Sequence, residues 1–239
     1  MKIIAVIPAR YDSSRLHGKP LADIHGKPMV WWVYNQVKKV DRFDEIYIAT
    51  DNDLIKEACE KFGMNCIMTS TEHETMSSRI CEVSEKINAD VYVVINGDEP
   101  LIEPQTILEV IPNNLDEFYA SNLVSPIIEP YEALDVTNIK VVFNENNEAI
   151  YMSRMPVPYP KSTITPKYFK HLGVIAYSKE ALDFFKSSEK GIIEAVEDID
   201  YLRFIENNKK FEIIQTNAET ISVDTPKDLE KVREMIQHG

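Results

Sequence analysis

Short β-branched runs alternate with amphipathic stretches through the first half of this chain, and that alternation is the βαβ rhythm of a parallel sheet with crossover helices. Strands are predicted near residues 2–7, 45–50, 65–68 and 90–95, and helices near 28–40, 51–63, 76–88 and 104–113. Pro28 and Pro104 suit helix N-termini, and Asp51 and Glu103 stand at cap or first-turn positions. Beyond about residue 118 the rhythm changes. Strand-like runs at 138–144 and 171–177 are separated by the proline-rich Met155-Pro-Val-Pro-Tyr-Pro160; an acidic helix over about 193–207, a strand near 211–216 and a final helix from Pro226 to Gln237 follow. The chain is expected to leave the main sheet near 118. The fold class this implies is α/β: one domain over 1–239, with a mostly parallel, Rossmann-like sheet flanked by helices and a smaller inserted lobe over about 118–192.

At 239 residues and 44% hydrophobic content the chain can bury a full core. Its opening Met1-Lys-Ile-Ile-Ala-Val-Ile7 superficially resembles a secretory signal, but the apolar run stops at Pro8, charge follows, and no small-residue cleavage site is present. It reads as a buried strand, and no membrane insertion is expected. Three cysteines, Cys59, Cys66 and Cys81, lack Cys-x-x-Cys spacing and leave an odd count, which points away from a disulfide framework or zinc site and towards a reducing cytoplasm. Thirty-nine acids against 26 bases give a net charge of -13, which argues against a nucleic-acid binder, since that needs a basic stripe. Any phosphate site must therefore be local. Residues 8–27 supply Arg10, Arg15, Lys19 and Lys27 against only Asp12 and Asp23, reversing the global balance.

Arg10, Arg15 and Lys19 fall just past the carboxyl end of the first strand, where open α/β sheets bind their ligands, and arginine forks match phosphate oxygens. A solvated loop is the plain alternative; the strand before and the helix after favour a polyphosphate site. The buried-strand pattern Val91-Tyr-Val-Val-Ile95 runs into Asn96-Gly97-Asp98-Glu99-Pro100, which sets Asp98 at a strand end beside a glycine turn. Magnesium takes one or two carboxylates and completes its octahedron with waters and phosphate oxygens, so Asp98 suits a cation, although a simple strand-to-helix turn has the same sequence. In Ile221-Ser-Val-Asp224-Thr-Pro226, Asp224 either supplies a second carboxylate or caps the last helix. Taken with the cationic loop, the two aspartates point to a metal-assisted nucleotide site. Trp31, Trp32 and Tyr34 read as core or subunit interface, and Met64 and Met68 as core filler.

Four motifs in register, Pro8-Ala-Arg10-x-x-Ser13-x-Arg15-x-x-Gly18-Lys19-Pro20-Leu21, Asn96-Gly97-Asp98-Glu99-Pro100, His171-Leu-Gly173 and Val223-Asp224-Thr-Pro226-x-Asp228-Leu229, together resemble the CMP-KDO synthetases (3-deoxy-manno-octulosonate cytidylyltransferases) over nearly the whole chain. The resemblance implies transfer of CMP from CTP to the anomeric hydroxyl of an acidic 2-keto sugar with release of pyrophosphate. It implies Mg²⁺ at Asp98 and Asp224, and Arg10, Arg15 and Lys19 on the triphosphate, with Ser13 and Asn96 as substrate-binding positions of the same motifs. On the sugar side it points to Arg79, Arg154, His171, Glu197 and Asp200, the last two in Glu194-x-x-Glu197-x-Ile-Asp200-x-Leu-Arg203, which puts Glu194, Glu197 and Asp200 on one side at helical spacing. A homodimer formed through the inserted lobe also follows from the resemblance.

The chain departs from the family pattern on the acceptor side. His73-Glu-Thr75-Met76-Ser77-Ser78-Arg79 stands where the family has His-x-Ser-Gly-Thr-Asp/Glu-Arg, so a glycine has become Met76 and an acid Ser78. Asn96 replaces the usual glutamine, Ile175 a tyrosine and Tyr201 a glutamine, and His17 replaces a loop proline. The phosphate and metal positions are intact, so the acceptor is expected to be KDO, a modified octulosonate such as an amino-substituted one, or another small acid. Two rivals stay open. A nucleotide-sugar glycosyltransferase would carry an Asp-x-Asp metal motif, which Asp98-Glu99-Pro100 is not; a noncatalytic nucleotide-binding protein would have no need of the intact cations and aspartates.

Overall fold

The computed structural model describes residues 1–12 and 16–237, so Ser13 and Arg15 lie outside the described residues. Strand β1 (Ile3–Ala9) leads through a single 3-10 turn at Lys19–Leu21 to a small hairpin, β2 (Asp23–Ile24) with β3 (Lys27–Pro28), and then to helix α1 (Met29–Val37). Three further units repeat the pattern: β4 (Glu45–Thr50) with α2 (Asp53–Phe62), β5 (Cys66–Met68) with α3 (Met76–Lys86), and β6 (Val91–Ile95) with α4 (Pro104–Glu109). Strand β7 (Ala120–Pro126), helix α5 (Pro130–Leu134), strands β8 (Lys140–Phe143), β9 (Ala149–Ser153) and β10 (Phe169–Ser178), and helices α6 (Lys179–Ser187), α7 (Ile192–Glu197) and α8 (Leu202–Glu206) come next. Strand β11 (Glu212–Gln215) and helix α9 (Pro226–Gln237) complete the fold.

Alternation places the core on both faces of one sheet. Ile3, Ala5 and Ile7 of β1 pack with Val91, Val93 and Ile95 of β6 on one face, while Ile4 and Val6 pack with Tyr92 and Val94 on the other. Strands hydrophobic on both faces belong to a sheet covered by helices on both sides. The sheet order is β11-β7-β10-β6-β1-β4-β5. Pairs β6/β1, β1/β4 and β4/β5 are parallel, as is β11/β7, and β10 runs antiparallel between the two groups. A third cluster, Ile24, Met29, Val223, Leu229 and Val232, seats α9 and its leading loop against the β2/β3 hairpin.

Three expectations need correction. The chain does not leave the main sheet near 118: β7 pairs with both β10 and β11, and it is the β8/β9 hairpin that stands off the main path. Strand β7 is hard to read because Ser121, Asn122 and Ser125 interrupt its apolar run, yet all three are buried. The acidic helix over 193–207 is two helices, broken where Asp198 adopts a left-handed backbone with φ 54°, a conformation aspartate tolerates better than most residues. Asp51 is not a helix cap; the Asn52 side chain accepts from Leu54 N at 2.9 Å and takes that role.

Candidate active site

The carboxyl ends of β1 and β6 open into a cavity of about 360 Å³ whose wall includes Arg10, Asp12, Lys19, Arg79, Asn96 and Asp98. Two loops meet there because Gly97 lets them: a Cβ on it would lie 2.9 Å from Pro8 O. The Asp224 loop is drawn in from the far end of the sequence, with Val223 N donating to Asp98 O at 2.8 Å. Thr225 and Asp228 cap α9 between themselves, Asp228 accepting from Thr225 N at 2.8 Å. Asp224 is thereby relieved of capping, which was the alternative role open to it.

Lys19 joins the two aspartates. Its Nζ donates to Asp98 Oδ2 at 2.7 Å and to Asp224 Oδ1 at 3.1 Å. Burial alone would lower the ammonium's pKa, but the ion pairs with Asp98 and Asp224 outweigh it and hold the pKa above its ordinary value, so the lysine is charged. Next to Asp98, Glu99 is buried; burial first, then the Asp98 charge, push its carboxyl up to about 8 against the hydrogen bond it accepts from Gly173 N.

The remaining expected positions divide. Arg79 is 4% exposed on the cavity wall, held by Asp51 at 2.6 Å and by the Thr69 hydroxyl. The altered loop before it is ordered by its own residues: Thr75 and Ser78 form a capping box at the start of α3, so the serine in place of an acid serves as the N3 partner, while Met76 faces the cavity. His73, also on the wall, pairs with Glu82 at 2.5 Å. Asp200 lines an adjoining cavity of about 150 Å³ that shares Glu74, Thr75 and Met76 with the first. It accepts from Ser77 N at 3.0 Å, and burial raises its pKa in spite of that bond.

Arg154 and Glu197 are not brought to either cavity. The Arg154 guanidinium donates to the carbonyls of Glu197 at 2.8 Å, Asp198 at 3.0 Å and Val136 at 3.2 Å. The Glu197 carboxylate accepts from Ser153 Oγ at 2.7 Å, Arg154 N at 3.0 Å and Tyr151 Oη at 3.1 Å; burial would raise its pKa, but these bonds prevail and lower it. Glu194 turns instead to Arg203, at 2.6 Å, so the three acids expected on one side of a helix face three different partners. His171 bonds Asn122 Oδ1 through Nδ1 at 2.9 Å and packs on Tyr201 with ring centroids 5.2 Å apart; burial pushes its imidazole down to about 4. Of the departures from the family pattern, Ile175 and Tyr201 are core residues.

Sequence reasoning missed the roles of Asp51, Glu99 and Asn122, which act on backbone or on other side chains, the last two from buried positions. The signal for Asn122 was an amide inside an apolar strand; for Glu99 it was a second acid beside Asp98.

A model of the cytidylyltransferase family matches residues 4–213. This chain belongs to that family. 3-Deoxy-manno-octulosonate cytidylyltransferase of Escherichia coli is 37% identical to it over 98% of this chain and 96% of that one. 8-Amino-3,8-dideoxy-manno-octulosonate cytidylyltransferase of Shewanella baltica is likewise 37% identical, over 99% of both. Among solved structures, CMP:2-keto-3-deoxy-manno-octonic acid synthetase complexed with CTP superposes with a TM-score of 0.92 at 37% identity, covering 100% of this chain and 99% of that one. In the cytidylyltransferase, two carboxylates suit a hard divalent cation that keeps open positions for phosphate oxygens. Asp98 Oδ1 is buried without a partner among the described residues, so the donor set has capacity beyond what Lys19 uses. Among the described residues no group of three or more His, Cys, Asp or Glu is placed to hold a metal.

Proposed function

We propose that this cytidylyltransferase joins CMP from CTP to the anomeric hydroxyl of KDO or an amino-substituted octulosonate, in the assembly of lipopolysaccharide or capsule. The observation that carries the reading is the Lys19 ammonium between Asp98 and Asp224 at the end of β6, in a cavity walled by Arg10. The attacking hydroxyl oxygen forms a bond to the α-phosphorus, the bond to the bridging oxygen breaks, pyrophosphate leaves with the electron pair, and the hydroxyl proton is released. Such a transfer needs in-line geometry and neutralisation of phosphate charge, and no covalent enzyme intermediate. Arg10 and Lys19, with Arg15 of the same loop, hold the triphosphate and neutralise the departing pyrophosphate, each contact contributing about 2–4 kcal/mol of transition-state stabilisation.

Asp98 and Asp224 would hold Mg²⁺, which supplies charge neutralisation on the phosphate oxygens when bound. Arg79, set on the cavity wall by Asp51, takes the acceptor carboxylate, with Asn96 beside it. His171, bonded to Asn122 and packed on Tyr201, supports the acceptor side from β10, and Asp200 and Ser13 complete the substrate-binding set. Arg154 and Glu197 act from behind by holding β9 to α7. Exposed Ile128, Tyr131, Leu134, Tyr159 and Ile164 on the segment around β8 and β9 support a homodimer through that lobe. No helix among the described residues is long and apolar enough to cross a membrane, and we place the enzyme in the cytoplasm, where CTP is made.

Pyrophosphate release tests the reading, with CTP and Mg²⁺ present and KDO or its 8-amino analogue as acceptor. Release should require nucleotide and acceptor together and stop on addition of a chelator. Release without an acceptor, or none with either octulosonate while CTP still binds, overturns it.

A further inference from the structure

The peptide of Gly173 is gripped on both its polar groups by the loop that carries Asp98. Asn96 N donates to Gly173 O at 2.8 Å, and Gly173 N donates to Glu99 Oε1 at 3.1 Å. Gly173 lies where β10 bulges: its pairing with β7 shifts between His171 and Ile175, so that four steps along β10 match two along β7. From the other side, Asn122 Nδ2 donates to the carbonyls flanking Gly173, Leu172 O at 2.8 Å and Val174 O at 3.1 Å. The contact with the Asp98 loop is close enough that a Cβ on Gly173 would lie 2.5 Å from the Asn96 side chain.

A carboxyl group is an unusual choice for this task. Glu99 is 4% exposed, and its second oxygen, Oε2, is buried without a hydrogen-bond partner among the described residues. Burying a polar atom without a hydrogen bond costs free energy, so its retention calls for an explanation. Asp98, the neighbouring residue, faces the phosphate side of the cavity, while the bulge carries His171 at its start and presses Gly173 against Asn96 on the cavity wall. Among the described residues of the loop, Glu99 is the one whose side chain hydrogen-bonds the bulge, and it directly follows Asp98.

We propose that Glu99 is a positioning residue for the transfer step: by holding the Gly173 peptide it sets the distance and direction between the Asp98 loop and the acceptor-side strand. This rests on the CMP-transfer reading. A side chain in that role acts on the alignment of the attacking hydroxyl with the α-phosphorus and leaves nucleotide capture to Arg10 and Lys19. Misplacement of reacting groups by about 1 Å costs on the order of 10²-fold in rate.

The test compares Glu99→Gln, Glu99→Leu and wild type by steady-state pyrophosphate release with KDO, by direct CTP binding, and by thermal melting. Glutamine keeps the carbonyl that accepts from Gly173 N, so its turnover should stay within about threefold of wild type, whereas leucine should lower kcat on the order of 10- to 100-fold and raise the KM for the acceptor. The CTP Kd should change by less than about twofold in both, since the loss falls on alignment and not on nucleotide capture. Should Glu99→Leu not accumulate as folded protein, Glu99→Asp, which withdraws the carboxylate by one methylene, takes its place with the same expected split. Wild-type kcat in folded Glu99→Leu or Glu99→Asp overturns the inference, as does a glutamine variant as impaired as leucine, or a loss of CTP affinity equal to the loss of turnover. Wild-type enzyme that fails to release pyrophosphate with any octulosonate is a failure of the functional reading instead, and separates the two.

Discussion

Replacing Lys19 by methionine keeps the bulk of the side chain and removes the one ammonium that spans Asp98 and Asp224. Because Nζ is 2.7 Å from one carboxylate and 3.1 Å from the other, the two acids lie within roughly 6 Å of each other, and at an effective dielectric near 20 they repel by about 3 kcal/mol. The three side chains are 15%, 18% and 25% exposed, and solvent screening brings the cost to about 1–3 kcal/mol. For a domain of this size each kcal/mol is worth about 2–4 °C, so Lys19→Met should melt roughly 2–12 °C below wild type without metal. Adding millimolar MgCl₂ should stabilise the variant more than wild type, in which a divalent cation must first displace the ammonium. Turnover should nevertheless fall by about 10²- to 10³-fold even with Mg²⁺, because the triphosphate loses a preorganised cation. Thermal melts with and without MgCl₂, paired with pyrophosphate release, read both effects. If the two proteins melt together without metal and gain equally from it, Lys19 does not hold the aspartate pair and the electrostatic reasoning fails.

Other outcomes follow from the same contacts. Asp51→Ala should leave the buried Arg79 guanidinium without its 2.6 Å carboxylate partner and cost about 3–5 kcal/mol of stability, read as a lowered urea midpoint; an unchanged midpoint contradicts it. Asn122→Ala removes the donor to two β10 carbonyls and should cost about 1–3 kcal/mol in the same assay, a loss that substitution of the exposed Asn146 should not reproduce. The His171 imidazole, held down to about 4 by burial, takes up its proton later in the folded chain than in the unfolded one. Its contribution to stability is therefore intact above about pH 6.5 and is lost as pH falls from there towards 4. Urea midpoints at pH 7 and pH 5 should diverge more for wild type than for His171→Gln, and equal divergence refutes the assignment.

The meeting of Lys19 with Asp98 was legible in the sequence because both residues follow strand ends, where an apolar run stops and charge begins. Lys19 and Asp98 are read that way, and Asp224 is joined to them by a family motif whose register spans the chain. The places of the residues expected on the acceptor side were less legible, since they are set by tertiary contacts that local pattern does not encode. Glu194, Glu197 and Asp200 share helical spacing, but Asp198 turns the chain between them and each finds a different partner. Strand β7 was hidden by Ser121, Asn122 and Ser125, residues that read as loop until their buried hydrogen-bonding neighbours are known. Asp51 reads as a cap or first-turn residue because a carboxylate at a helix start suits either role; in the structure Asn52 caps α2 and Asp51 pairs with Arg79 of α3.

Phosphorus NMR of a single reaction mixture addresses the central claim most directly. With CTP, Mg²⁺ and KDO, the three CTP resonances should give way to one phosphodiester and pyrophosphate in equal amounts, and Asp98→Asn should leave CTP intact on the same timescale. Formation of CDP and inorganic phosphate, or full turnover by Asp98→Asn, would contradict CMP transfer at this site.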